Sequence, residues 1–293
     1  MPEDAKDKAD RLLPIRVINL VKSFGERTVL NGVSLDVYPG ETMVVMGPSG
    51  CGKSTLLWHI IGSMGPDGGR VELLGRDLAA LDEQQLDALR LRFGILFQSA
   101  ALMNSMTVGE NVALPLREHT DLDSGTIDIM VRIKLELVGL RHAVDLMPSQ
   151  ISGGMKKRAG LARAIAMDPE ILFYDEPSAG LDPVTSAEID RLMMDLSGKL
   201  GVTTMVVTHE MDSAFRIADR MAMLDAGRIL KVGPTSEFES IRDSDETGDH
   251  DTDLIRQFLR GDDEGPITHR RLSTGYEEEI LELAAGPYGR KET

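Results

Sequence analysis

What this sequence lacks narrows its function before any motif is considered. It contains a single cysteine, so no disulfide bond can form within the chain. No apolar run is long enough to span a membrane, and the first residues do not resemble a signal peptide. Basic residues are scarce as well: 32 lysines and arginines stand against 48 acidic residues, a net charge of −16. Because contacts to nucleic-acid phosphates need clustered Lys and Arg, this balance argues against a nucleic-acid partner.

A glycine-rich loop lies between a predicted strand, Thr42–Met46, and a predicted helix over residues 55–61. Its pattern, Gly-x-x-x-x-Gly-Lys-Ser, turns backbone N–H groups inward around phosphate oxygens at a helix N-terminus. Lys53 is expected to reach the β- and γ-phosphates of a nucleotide, and the Ser54 hydroxyl to bind Mg²⁺. A turn without a ligand is the alternative, which the strand and helix context disfavours. The predicted nucleotide-binding residues are Gly47, Pro48, Ser49, Gly50, Cys51, Gly52, Lys53, Ser54 and Thr55.

Cys51 lies inside this loop. On its own it is a small filler residue without a catalytic role, but a helix N-terminus can lower the pKa of a thiol. We therefore expect alkylation of Cys51 to block ATP turnover and bound nucleotide to protect against it.

Two carboxylates follow a second apolar strand, Ile171–Tyr174. The C-termini of parallel strands gather at one crevice, where ligands bind. Asp175 can hold Mg²⁺ there, and Glu176 can polarise the water that attacks the γ-phosphate. An isolated Asp-Glu pair is more often a solvated turn, but the phosphate-binding loop favours the catalytic interpretation.

Two further residues come at predicted strand ends. His209 follows the predicted strand Thr203–Thr208, where it can contact the γ-phosphate and the attacking water. Gln98 follows a short apolar run, and its amide can bind Mg²⁺ or hold a water. A lone His or Gln at such a place is usually structural, so both assignments depend on the other motifs.

A second glycine pair opens a helix at Ser152-Gly153-Gly154. Ser152 suits the N-cap, and the glycines allow close approach of an anion. The helix has no lysine at the equivalent of Lys53 and no strand leading into it, so this is half of a phosphate site. The simplest arrangement is a two-fold homodimer in which each such helix start caps the ATP of the other subunit.

Together these motifs resemble the ATPase subunit of an ATP-binding cassette (ABC) transporter over residues 15–235. The resemblance implies an α/β P-loop NTPase fold with a RecA-like core, an antiparallel β subdomain and an inserted α-helical subdomain. It implies ATP and Mg²⁺ as cofactors, with Ser54, Gln98 and Asp175 on the metal. The catalytic residues are then Lys53, Glu176 and His209, the nucleotide contacts of the partner copy are Ser152, Gly153 and Gly154, and Asp182 helps the two sites to communicate.

Two departures from the family pattern are visible. The segment Ile151–Met155 ends in methionine where the family usually has glutamine, which removes any side-chain contact of that glutamine. The aromatic residue that stacks on adenine, usually tyrosine, corresponds to Phe24, which keeps the π-face without the hydroxyl.

A narrower resemblance, to ATPases of Mla/Mce-type systems, rests on the segments at 96–102, 111–120, 146–149, 152–155 and 255–266. It implies transport of phospholipids between bacterial membranes that maintains outer-membrane lipid asymmetry. The implied partners are integral-membrane permease subunits, a lipid-binding Mce-type protein and a small STAS-like accessory subunit. We expect the protein to be cytoplasmic, on the cytoplasmic face of the inner membrane through the permease. The alternatives are the same ATPase on another permease, such as an amino-acid importer, and a soluble ABC ATPase outside transport. The second of these usually needs two cassettes or a long coiled coil, and neither pattern is present.

The chain is expected to divide into three parts: a mobile N-terminus over residues 1–14, the ATPase domain over 15–235 with its helical subdomain at about 99–160, and an acidic linker with a C-terminal extension over 236–293. Short helices are predicted near 254–259 and 277–285 of that extension, and we expect its apolar helix to dock on a protein surface. Within 100–116, apolar residues surround a break at Pro115. Leu102, Met103 and Met106 there are candidates for contact with the permease, and the alternative is that they belong to the core.

Overall fold

A six-stranded sheet forms the centre of the molecule, in the order β10-β9-β3-β8-β7-β6. The computed structural model describes residues 12–246 and 248–269. Five strands of the sheet run parallel, and β10 pairs antiparallel with β9. Its strands are β3 (Thr42–Met46), β6 (Phe93–Leu96), β7 (Ile171–Asp175), β8 (Thr203–Thr208), β9 (Arg220–Asp225) and β10 (Arg228–Pro234). Every residue of β8 is buried, as expected for a strand covered on both faces.

A second, antiparallel sheet has four strands in the order β2-β1-β4-β5. They are β1 (Ile15–Phe24), β2 (Arg27–Val37), β4 (Gly68–Leu73) and β5 (Arg76–Asp77). One hydrophobic cluster joins the two sheets, with Val17 and Leu35 from the antiparallel sheet and Val45 and Phe173 from the central sheet. The predicted α/β fold with an antiparallel β subdomain is therefore confirmed.

Four helices lie in the segments of the chain that connect the strands of the central sheet. They are α1 (Lys53–Ile60), α2 (Glu83–Arg90), α6 (Pro183–Leu200) and α7 (Met211–Ile217). Asp182 caps the start of α6, and Gly201 ends it in the left-handed region at φ 64°, a conformation that costs glycine little. Asp182 and Gly201 therefore fix where α6 begins and ends.

The chain between β6 and β7 is helical, with α3 (Val108–His119), α4 (Ser124–Leu137) and α5 (Gly153–Ala164). Short 3₁₀ turns at Arg141–Ala143 and Pro148–Gln150 precede α5. The break predicted at Pro115 is wrong, because α3 continues through it. A capping box between Thr107 and Glu110 holds the start of α3, and Val112 and Leu116 are buried on either side of the proline. These contacts compensate for the backbone hydrogen bond that proline cannot make.

The chain separates into two compact units, Met1–Thr235 and Ser236–Thr293. The sequence predicted an acidic linker after Thr235, but the structure has two helices there, α8 (Thr235–Asp243) and α9 (His250–Arg260). The acidic composition concealed an apolar residue, Phe238, that is buried. Arg260 closes the turn between these helices by donating to the carbonyls of Arg242 at 2.6 Å and Ser244 at 2.9 Å.

Two expectations fall outside the described residues, namely residues 1–11 of the mobile N-terminus predicted over 1–14 and the helix predicted near 277–285. Of residues 12–14, Pro14 is buried and its carbonyl accepts a hydrogen bond from Leu74 N at 2.8 Å. In the described part of the chain, no helix has the length and apolar character that a membrane crossing requires.

Candidate functional site

The loop between β3 and α1 has the backbone that a phosphate-binding site requires. A Cβ on Gly47 would lie 2.0 Å from the carbonyl oxygen of Leu224, so only glycine fits there. Gly52, the N-cap of α1, has φ 114° and makes no side-chain cap. The first N–H groups of α1 are therefore not taken by a capping side chain and can bind an anion.

Lys53 is the first residue of α1, directly after this loop, and is buried. Its ammonium donates to the carbonyls of Gly47 at 2.6 Å and Pro48 at 3.1 Å. These bonds hold the cation against the loop that is predicted to surround the phosphates.

Asp175, the last residue of β7, is the candidate metal ligand. Its Oδ1 is buried and has no hydrogen-bond partner in the described structure. Burial raises the pKa of this carboxyl, the neighbouring Glu176 adds to the rise, and Lys53 and Lys157 oppose it. A buried carboxylate oxygen without a donor suits a hard divalent cation such as Mg²⁺, so this residue fits the metal predicted here.

Both carboxylate oxygens of Glu176 contact polar groups of neighbouring residues. Its Oε1 lies 2.8 Å from Nδ1 of His209, and its Oε2 accepts from Oγ1 of Thr208 at 3.2 Å and from N of His209 at 3.3 Å. Its backbone has φ 49°, which is uncommon for a residue with a side chain. The structure therefore brings Glu176, predicted to polarise the attacking water, into direct contact with His209, predicted to lie at the γ-phosphate.

Gln98 follows β6, which is adjacent to β7 in the sheet. Its side chain is exposed, and its carbonyl accepts a hydrogen bond from Nζ of Lys157 at 2.6 Å. The same ammonium donates to the carbonyl of Glu176 at 3.1 Å. The strand order and this shared cation place Gln98 at the same edge of the sheet as Asp175 and Glu176.

Ser152 caps α5 by accepting a hydrogen bond from Met155 N at 3.2 Å. Ser152 and Gly153 are exposed, whereas Gly154 is buried. A Cβ on Gly154 would lie 2.7 Å from Cγ2 of Thr185. The half-site thus packs on the start of α6 and presents its first two residues to solvent.

Asp182 has a structural function in this chain. Its carboxylate accepts from the N–H groups of Val184 at 3.0 Å and Thr185 at 3.1 Å, and from Oγ1 of Thr185 at 2.5 Å. The Thr185 hydroxyl and these amides lower the pKa of Asp182. Asp182 is the N-cap of α6, and communication between two ATP sites stays a prediction.

Phe24 ends β1 with 48% of its surface exposed. The ammonium of Lys22 lies 5.7 Å from the centroid of its ring, a cation–π arrangement. An exposed ring of this kind is available for stacking on a base.

The expectation that the helix N-terminus lowers the pKa of Cys51 is wrong. Cys51 is 7% exposed, and its burial raises the pKa of the thiol, an effect that outweighs the opposing influence of Lys53. Desolvation disfavours the thiolate more than the helix and the lysine favour it.

Two basic residues of α5 that contact this site were not predicted from the sequence. Lys157 contacts Gln98 and Glu176 as described, and Arg163 donates to the carbonyls of Ala101 at 2.7 Å and Ala100 at 2.8 Å. Lys157 lies four residues before Leu161 and therefore on the same buried face of α5, whereas Arg163 has no such helical spacing with Leu161. A basic residue on a buried face was the signal that could have revealed Lys157.

Comparison with known sequences agrees with this geometry. Residues 30–179 match the family described as ABC transporter. The intermembrane phospholipid transport system ATP-binding protein MlaF of Escherichia coli K12 is 40% identical over 257 residues, covering 88% of this chain and 92% of MlaF. MlaF of Haemophilus influenzae is 38% identical over 92% of this chain and 98% of its own length. The probable ribonucleotide transport ATP-binding protein mkl of Mycobacterium leprae is 41% identical over 94% of this chain and 77% of mkl.

Solved structures show the same architecture. The dimeric bacterial ABC transporter cassette MJ0796 superposes with a TM-score of 0.70 at 31% identity, covering 75% of this chain and 98% of that one. A dimeric post-hydrolysis state of MJ0796 bound to ADP and Pi gives a TM-score of 0.69 at 30% identity over 75% of this chain and 98% of that one. The phosphate-binding loop, the carboxylates after β7 and these similarities lead to one conclusion: the chain belongs to the ABC transporter family, as an ATP-binding subunit with ATPase activity.

Proposed function

We propose that this protein is the ATP-hydrolysing subunit of a membrane transporter and that it works as a homodimer. The observation that carries the proposal is the division of anion-binding groups within one chain. Lys53, Asp175 and Glu176 lie at one sheet edge, whereas the second glycine-rich helix start, at Ser152, packs on α6. Two copies related by a two-fold axis bring each such helix start to the ATP of the other copy. The MJ0796 cassette, a structural relative, is dimeric.

Each residue then has a chemical role in ATP hydrolysis. Lys53 and the amides of the loop bind the phosphates, and Ser54, Gln98 and Asp175 would hold Mg²⁺, which when bound would neutralise charge on the phosphate oxygens. Glu176 orients the attacking water and takes up its proton. His209, which already holds the carboxylate of Glu176, completes the γ-phosphate end of the site. Phe24 stacks on the adenine.

The partner copy supplies Ser152, Gly153 and Gly154. The Ser152 hydroxyl and the first N–H groups of α5 bind γ-phosphate oxygens, since a helix N-terminus carries positive potential. Asp182, at the start of the helix against which Gly154 packs, connects this cap to the second site.

A groove on the ATPase domain suits the permease. It has a volume of about 860 Å³, and it lies between the segment that contains β6 and helices α2, α3 and α5. Apolar surface at a subdomain boundary is a typical docking site for a helix of another chain. Leu102, Met103 and Met106 stay candidates for the permease contact, and the residues that line the groove are added to them, among them Phe97, Leu114, Pro115, His119, Arg163 and Met167.

Phospholipid is the proposed cargo, moved between the inner and outer membranes to maintain lipid asymmetry. The support is the near-full-length similarity to MlaF of two bacteria. In this setting the subunit lies on the cytoplasmic face of the inner membrane, with permease subunits, a lipid-binding Mce-type protein and a small STAS-like protein as partners. The mycobacterial relative, whose name refers to ribonucleotide transport, makes a nucleotide the second candidate cargo.

Purification of the intact complex from its native membrane decides the cargo. We expect mass spectrometry of the extract to show phospholipid bound in a fixed ratio to the complex, and reconstituted vesicles to move labelled phospholipid only with ATP. Movement of a labelled ribonucleotide without phospholipid would establish the second candidate.

Mixing two inactive variants tests the shared site. Ser152→Ala removes a cap from the partner's site, whereas Glu176→Gln disables the site of its own chain. In a mixed dimer both changes fall on one site and leave the other intact, so activity returns to about a quarter of wild type after random pairing. If Ser152 acted within its own chain, the mixture would have no more activity than the average of the two variants.

A further inference from the structure

Lys157 is a basic residue almost completely removed from solvent, at 5% exposure, on the second turn of α5. Burying an ammonium is costly unless its donors are satisfied. Two of its donors are satisfied by the carbonyls of Gln98 at 2.6 Å and Glu176 at 3.1 Å. Gln98 and Glu176 are 78 positions apart in the sequence. Gln98 is assigned to the metal and Glu176 to the attacking water of the same reaction.

The contact is supported by a wider interface between α5 and the segment after β6. A Cβ on Gly160 would lie 2.8 Å from Cδ1 of Leu96 and 3.1 Å from Cβ of Ala100. Arg163 binds the carbonyls of Ala100 and Ala101, which have φ values of 60° and 47°. Lys157, Gly160 and Arg163 thus form one face of α5 that holds the backbone after Gln98.

Glu176 has a backbone that needs such support. Its φ of 49° is unfavourable for a residue with a side chain. The N–H of Glu176 donates to the carbonyl of Val207 at 2.9 Å. The carbonyl of Glu176 accepts a hydrogen bond from Nζ of Lys157. Burial lowers the pKa of the Lys157 ammonium, and the nearby carboxylates of Glu176, Glu210 and Asp175 oppose that lowering.

We propose that Lys157 is a positioning residue that sets Glu176 and Gln98 of its own chain against the same nucleotide. It acts through backbone carbonyls and does not touch the reacting atoms. The start of α5 has other supports, namely the Ser152 cap, the packing of Gly154 on Thr185 and the Arg158–Glu188 ion pair at 2.9 Å. Loss of Lys157 therefore impairs the site of its own chain and leaves the cap offered to the partner in place. The proposal rests on the roles of Glu176 and Gln98 given above.

Substitution of Lys157 separates positioning from binding. We expect Lys157→Met to lower kcat about tenfold or more, because a misplaced reacting group costs on that order, while KM and the dissociation constant of a fluorescent ATP analogue change by less than about threefold. Lys157→Arg, which can donate to both carbonyls, keeps kcat within about threefold of wild type. Lys156→Met is the matched control, the same change one residue earlier on α5, and it leaves kcat unchanged. All melting temperatures are measured, and the kinetics are run well below the lowest.

Mixed dimers show which site Lys157 serves. If it positions Glu176 of its own chain, Lys157→Met mixed with Ser152→Ala regains activity, because both changes fall on one site. Mixed with Glu176→Gln it regains none, because each site then carries one change. The reverse pattern, or recovery in both mixtures or in neither, overturns the proposal. The mixture of Ser152→Ala with Glu176→Gln is the positive control, and its failure would count against the shared site instead. Should Lys157→Met not fold, Lys157→Arg decides: a tenfold loss of kcat with an unchanged melting temperature overturns the proposal.

Discussion

Oε1 of Glu176 lies 2.8 Å from Nδ1 of His209, across the ends of two adjacent parallel strands. A carboxylate oxygen can only accept a hydrogen bond, so this contact is a hydrogen bond in the His209 tautomer that has its proton on Nδ1. Thr208 and the N–H of His209 hold the second carboxylate oxygen. The direction of the Glu176 side chain is therefore fixed by the residues that end β8.

Replacement of the Glu176 carboxylate by an amide tests its catalytic role. Glu176→Gln keeps the size of the side chain and removes the base, so we expect kcat to fall about 10²- to 10⁴-fold with little change in ATP binding. Because hydrolysis then no longer separates the subunits, the variant should elute as a dimer with ATP and as a monomer without it. Rapid turnover by purified Glu176→Gln would contradict the assignment.

The sequence predicted the parts of the fold that depend on neighbouring residues. The bounds of β3 and β8 agree with the predicted runs 42–46 and 203–208, because each is a short stretch of β-branched and apolar residues ended by a motif. The strand predicted at 171–174 extends by one residue to Asp175.

What the sequence could not predict depends on contacts between distant segments. Lys157 meets carbonyls 59 and 19 positions away, and no local pattern indicates that meeting. The raised pKa of Cys51 depends on burial that only the packed structure reveals. The helix α8 was concealed by its acidic composition, since composition alone does not show that Phe238 is buried.

An acidic residue in the groove tests the permease contact. Leu114 lines the groove and is partly exposed, so Leu114→Glu places a charge in the proposed interface at little cost to the core. We expect stimulation of the ATPase by the permease to fall more than about tenfold, with basal turnover and melting temperature near wild type. Ile129→Glu is the matched control, since Ile129 is 62% exposed on α4 and is not part of the groove lining. Equal stimulation of both variants would place the permease elsewhere.

Alkylation of the single cysteine tests the environment of the phosphate-binding loop. Burial raises the pKa of Cys51, so at neutral pH a smaller fraction is thiolate than in a free cysteine. We expect iodoacetamide to react more slowly with Cys51 than with a model thiol and the rate to keep rising with pH above 9. Mass spectrometry gives the extent of labelling without interference from other thiols. ATP should slow the reaction further, and labelled protein should lose turnover; a rate equal to that of the model thiol would show that Cys51 is accessible.

Phe24 provides the last test, of base recognition. Its exposed ring is a stacking surface, and stacking of a base on an aromatic ring contributes about 1–3 kcal/mol. Phe24→Ala should therefore weaken ATP binding by about five- to a hundredfold, whereas Phe24→Tyr, which keeps the π-face, should bind as wild type does. Isothermal titration with a non-hydrolysable ATP analogue measures both variants, and inorganic triphosphate serves as a ligand without a base. Phe24→Ala should bind triphosphate as wild type does, because the loop from Gly47 to Ser54 is unchanged. Equal weakening for both ligands would mean that Phe24 supports the fold of the loop and does not stack on adenine.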